Sequence, residues 1–150
     1  MKLELNITPQ IYQRGPNIKI FAGSQVFTHE NYKQNCIKCE IKDAPVKITI
    51  MHYGKSYDDI KLENDKIIKD TGFTLNSVKF NDHEIINEIF KFEITLADGK
   101  KLTNNNYFGH NCTMTFDIDE QLDFWIFKIK NQSNDDISIN IDEFIADILS

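Results

Sequence analysis

Residues 107–116 read YFGHNCTMTF, and with CIKC at 36–39 they supply all three cysteines of the chain and one of its four histidines. Cys36, Cys39, His110 and Cys112 are the residue types that build a tetrahedral zinc centre, and a histidine two positions from a cysteine is the raw material of a thiol nucleophile. The flanking pattern argues against both. Cys36 and Cys39 lie three apart in a run that alternates apolar and polar, so in an extended strand they project to opposite faces, with no glycine after them to fold a knuckle. Carrying the alternation backward from Ile118 through Phe116 and Met114 puts Cys112 and His110 on the inward face, which predicts a small buried hydrophobe and a core imidazole. No basic neighbour or helix start is at hand to stabilise a thiolate. His52 also falls on an inward parity. The chain has no Gly-x-Ser-x-Gly, no His-Glu-x-x-His and no phosphate-cradling glycine loop, so a non-enzymatic protein is expected.

Oxygen donors and aromatic rings gather in one stretch, HYGKSYDDIKLENDKIIKDTG. Read as a calcium-binding helix-loop-helix from Asp59 to Asp70 it fails, because Lys61 takes the third ligand position and Asn64 the place of the required glycine. A looser calcium site built from Asp59, Glu63, Asp65 and Asp70 with backbone carbonyls stays open, beside the plainer reading of a solvated loop with Lys61, Lys66 and Lys69 interspersed. No other cofactor is expected. Tyr53 and Tyr57 flank this loop and Tyr107 stands at the turn before Gly109, three rings that could bind a glycan by stacking on the apolar faces of its sugars.

Alternation governs the elements that must position these groups. Leu3, Leu5 and Ile7 share one parity in a first strand that Pro9 and the RGP at 14–16 are expected to close. Gly23-Ser24 reads as a hairpin turn, and Asp43-Ala44-Pro45 separates Ile37, Cys39 and Ile41 from Val46, Ile48, Ile50 and His52. The acidic stretch reads as a long loop or a weak hairpin about Asn64-Asp65. Phe73 and Leu75 differ in parity from Val78 and Phe80, which predicts a bulge at Asn76-Ser77. Phe90, Phe92, Ile94 and Leu96 read as one clean strand, turned back by Asp98-Gly99. QLDFWIFKIKNQ fits a short helix, and NIDEFIADILS a C-terminal helix capped by Asn140 with Phe144, Ile145, Ile148 and Leu149 on one face. The expected fold is all-β: an antiparallel β-sandwich of jelly-roll type over residues 1–133, with a short C-terminal helix in a tail at 134–150.

The totals agree with one globular unit. The 150 residues are 41% hydrophobic and 27% charged with a net charge of -6, enough chain to bury a core without disulfides. An acidic surface repels phosphate backbones and anionic membranes, and Arg14 is the single arginine, so neither nucleic acid nor membrane is expected as a partner. MKLELNITPQ has no apolar core or cleavage site of a signal peptide, and the odd cysteine count fits reduced thiols, so the expectation is synthesis in a cytoplasm without export by a signal peptide.

HYGKSYDD, the aspartate at 70, YFGHNCTMTFDI and DFWIFK together resemble uncharacterised all-β proteins encoded by tailed phages of marine bacteria. That group has a Gly-Lys-x-x-x-Asp stretch, an acidic turn, an aspartate before a strand, and an aromatic-Gly-x-Asn-Gly-x-Trp turn before its last strand. Gly54, Lys55, Asp59, Asp70, Phe108, Gly109 and Asn111 match; Cys112 replaces a glycine, Met114 a tryptophan, and the acidic turn lacks its glycine. The resemblance implies a sandwich similar in outline to calcium-dependent carbohydrate-binding modules such as xylan binders. It also implies synthesis in a host cytoplasm and a place in the virion. Two functions follow as expectations. The leading one is a phage virion-associated or accessory structural protein that attaches to protein partners or to itself; the alternative is a module binding a host-surface glycan, with calcium as an optional aid.

Overall fold

The computed structural model describes residues 1–131, and the helix expected from Asn140 lies outside the described residues. Two antiparallel sheets face each other. The first orders β12 (Tyr107–Phe108), β8 (Gly72–Phe80), β1 (Lys2–Gln10) and β4 (Cys36–Glu40), with β9 (His83–Ile85) also paired to β8. The second orders β11 (Lys101–Leu102), β10 (Ile94–Leu96), β13 (Cys112–Ile118), β5 (Val46–Tyr53), β2 (Asn17–Ala22) and β3 (Gln25–His29). The chain changes sheet after β1, β3, β4, β5, β9, β11 and β12, the repeated crossing of a jelly-roll sandwich. A separate hairpin, β6 (Lys61–Glu63) with β7 (Lys66–Lys69), turns on Asn64 and Asp65, both at positive φ. The weak hairpin read from the sequence is thus formed.

Period-two alternation supplies the interior from both sheets. Leu3, Leu5, Phe73, Leu75, Val78 and Phe80 meet Ile18, Ile20, Ile48, Ile50, Met114 and Phe116, all buried. Where the parity of β8 changes, Asn6 pairs with Ser77 and Ile7 with Leu75, leaving Asn76 without an opposite residue. That extra residue is the expected bulge, and it lets Leu75 and Val78 both point inward although three apart. Pro9 does not end its strand. β4 leaves β1 after Asn6, so the far half of β1 borders no strand on that side, a place where proline is tolerated.

Two expectations about strands are corrected. Residues 90–96 do not make one strand, because Asn87–Lys91 form a 3₁₀ turn and the strand spans only Ile94–Leu96. Ile89 takes the interior place, the Phe92 ring three residues on lies tilted against Phe116 at 4.4 Å between centroids, and Phe90 stays 41% exposed. Spacing by three, not two, decided that segment. The alternation of β13 likewise fails to extend back to His110, which is exposed, since the strand begins at Cys112.

Leu122–Asn131 form the helix α1 expected there, burying Trp125, Ile126 and Ile129. Trp125 meets Phe80 edge-on at 5.5 Å and Phe116 at 6.4 Å. Those contacts fall at the C-terminal end of β8, so α1 closes one end of the sandwich; the starts of β8 and β13 and the end of β5 lie at the other. Phe116→Ala should lower unfolding free energy by about 3–5 kcal/mol, as large buried rings do, while Phe90→Ala should change it by less than about 1 kcal/mol. Urea denaturation of both variants checks the corrected packing.

Candidate functional site

At the end opposite α1, three connections converge: residues 54–60 after β5, residues 70–71 before β8, and residues 105–111 around β12. Gly54 makes the first bend at φ +70, where a side chain would be strained. Asp59 then turns back inside a one-turn 3₁₀ segment, Tyr57–Asp59, and accepts the Ser56 amide at 2.8 Å. Arg14 clamps the same carboxylate from both sides, Nε to Oδ1 and Nη2 to Oδ2 at 2.8 Å each, and Nη2 also donates to the Gly54 carbonyl at 2.5 Å. The Asp59 side chain is 4% exposed. Hydrogen bonding to Arg14 leads the causes that hold its pKa below the ordinary value, against the opposing effect of burial.

Lys55 reaches across to the other two connections. Its ammonium donates to Asp70 Oδ1 and to the Gly109 carbonyl. Its main chain is gripped by Asn111, which accepts the Lys55 amide at 2.8 Å and donates to the Lys55 carbonyl at 3.1 Å. Asp70 in turn accepts the Thr71 amide at 2.9 Å and the Tyr107 hydroxyl at 2.7 Å. The Tyr107 ring covers Gly109 so closely that a Cβ there would lie 3.3 Å from it. Burial, then the bond and charge of Asp70, raise the Tyr107 pKa and keep its phenol protonated.

Above this floor opens a cleft of about 490 Å³ lined by Lys55, Tyr57, Ile67, Asp70, Tyr107 and His110 among others. Tyr57 stands at its rim, 87% exposed. Two of the three tyrosines singled out from the sequence therefore meet at one opening. Tyr53 does not join them; it borders a neighbouring apolar depression with Leu96 and Thr113, donates to Glu30 at 3.3 Å, and carries the Lys19 ammonium 4.6 Å over its ring.

The carboxylates expected to share calcium do not converge. Asp59 is held by Arg14 and Asp70 by Lys55, while Glu63 and Asp65 are exposed on the β6–β7 hairpin. Among the described residues no group of three or more His, Cys, Asp or Glu side chains is placed to hold a metal ion. Calcium asks for six to eight oxygens, and this set does not fit it. The thiols are equally separate: Cys39 and Cys112 are buried, and Cys36 faces outward with Sγ 3.2 Å from Glu4 Oε1. Burial pushes Cys39 and Cys112 each to about 11. His52 is the core imidazole expected, bonded through Nδ1 to the His110 carbonyl at 2.8 Å. His110 is thus tied in by its backbone and is an exposed residue lining the cleft.

Arg14 and Asn111 were not marked as site residues by sequence reasoning. The only arginine of an acidic chain was a usable signal for the first; the second stood in the matched turn but acts through backbone bonds that no spacing announces.

No family model matches the chain, and no curated protein matches it. Among solved structures it is similar to vCBM60 in complex with galactobiose, at a TM-score of 0.51 and 10% identity, over 78% of this chain and 98% of that one. At that identity the likeness establishes the fold alone, a β-sandwich.

His52 makes the site end sensitive to acid. Burial chiefly lowers its pKa from 6.5 to about 4, with Lys55 adding to the effect and the His110 hydrogen bond opposing it. Between those values the unfolded chain binds a proton that the folded one refuses, so stability should fall by about 3 kcal/mol as pH drops through this window. The Asp59 contribution is lost lower, below 3.8, as its depressed folded pKa is crossed. Urea unfolding from pH 7 to 4 should show the decline, and His52→Gln should flatten it.

Proposed function

We propose that this chain is a non-catalytic carbohydrate-binding module whose ligand lies in the cleft between Tyr57 and Tyr107. The carrying observation is Tyr57 itself: a ring 87% exposed at the rim of a cleft with a polar floor. An aromatic face left in water gains by stacking on the C–H face of a sugar ring, while Asn105, His110 and Lys55 offer hydrogen bonds to its hydroxyls. The neighbouring fold, solved with galactobiose, supports this reading.

Hydrolysis is disfavoured by the same geometry. Glycosidases use two carboxyl groups, one of them protonated near neutral pH. Here Asp59 is bound by Arg14 with its pKa lowered, and Asp70 is engaged by Lys55, Thr71 and Tyr107. Binding without turnover is what such satisfied carboxylates allow. The leading sequence expectation, attachment to virion proteins, draws no support from the described residues, whereas the alternative does.

A glycan array followed by calorimetry tests the proposal. Tyr57→Ala should weaken binding of any retained oligosaccharide about tenfold, the scale of one aromatic contact, without lowering the melting temperature. Tyr53→Ala should have little effect. Unchanged affinity in Tyr57→Ala, or an array without a retained glycan, would count against it.

A further inference from the structure

The residues at the floor of the cleft already enclose a positive charge. The Lys55 side chain is only 12% exposed, and an ammonium so far out of water needs all three of its N–H groups satisfied. Two are donated to protein, to Asp70 and to the Gly109 carbonyl; the third has no protein acceptor among the described residues, and Lys55 borders the cleft. Asp70 and the Gly109 carbonyl are oxygen donors of the type a divalent ion would recruit, yet an ammonium occupies them. A second cation there would meet Lys55 at close range and find Tyr107 as a neutral phenol, since that hydroxyl keeps its proton for Asp70.

We propose that Lys55 is the resident cation of this site and donates a hydrogen bond from its remaining N–H to a sugar hydroxyl oxygen, so that glycan binding needs no metal ion. This rests on the carbohydrate-binding reading and assigns the group that contacts the ligand. Lys55 is then a binding residue, Asp70 and Asn111 its positioning residues. Asp70 fixes the ammonium, and Asn111 fixes the main chain from which it extends.

Two measurements test it. Affinity for an array-selected oligosaccharide should be equal in calcium and in chelator, and about tenfold weaker in Lys55→Gln, which keeps two N–H donors but loses the charge and the third. Terbium luminescence sensitised by Tyr107, which needs neither glycan nor variant, should show no site in the wild-type protein. Chelator-sensitive glycan binding, a terbium signal that Asp70→Asn abolishes, or wild-type affinity in folded Lys55→Gln would overturn the role given to Lys55. A wild-type protein that binds no glycan would instead refute the carbohydrate-binding reading, and the ligand contact with it.

Discussion

Two carboxylates set down at one end of a β-sandwich, each answered by a cation from a distant part of the chain, are the constraint on which the site depends. Asp59 and Asp70 could not stay so little exposed as bare anions, because losing water costs a charge several kcal/mol unless partners replace it. Arg14 crosses from the segment after β1 to meet the first, and Lys55 crosses from the end of β5 to meet the second. Every connection at that end is thereby held by its electrostatics, including the turn whose Gly109 carbonyl shares the Lys55 ammonium.

The sandwich beneath makes that arrangement rigid. Phe73 and Phe108 stack at 4.4 Å between neighbouring strands directly under Asp70 and Tyr107, and His52 meets Phe73 edge-on at 5.8 Å. A Cβ on Gly72 would lie 2.5 Å from the Phe108 carbonyl, so the approach of β12 to β8 depends on that glycine. Apolar packing thus fixes the strand ends, strand ends fix the loops, and the loops fix a cleft whose polar groups are already oriented before any ligand arrives. Preorganisation of this kind reduces what binding costs in lost motion.

The charged groups of this site are engaged with one another, apart from one N–H of Lys55. Its carboxylates are paired with cations, the Cys112 thiol is buried with a raised pKa, and its imidazole at 52 is kept neutral by burial. What remains accessible is an exposed ring, a phenol ring packed on a glycine, and donors at the cleft floor. These are the features on which the proposed carbohydrate-binding reading rests.

The alternation of Leu3, Leu5 and Ile7, the change of parity at Asn76, the glycine turns and the helix around Trp125 were all legible in the chain, because each is written in contacts between residues a few positions apart. The 3₁₀ turn at Asn87–Lys91 was not, since period two and period three coexist there and only the interior space beside Phe116 chose between them. Tyr57, Tyr107 and Asp70 could be named as candidates from residue type, but nothing in the sequence told that Tyr53 would be excluded from their cleft. Nor did it tell that Arg14 and Lys55 would claim the carboxylates offered to calcium. Those outcomes belong to the tertiary structure: ion pairs spanning 45 and 15 residues form only after the two sheets have brought their loops to one end.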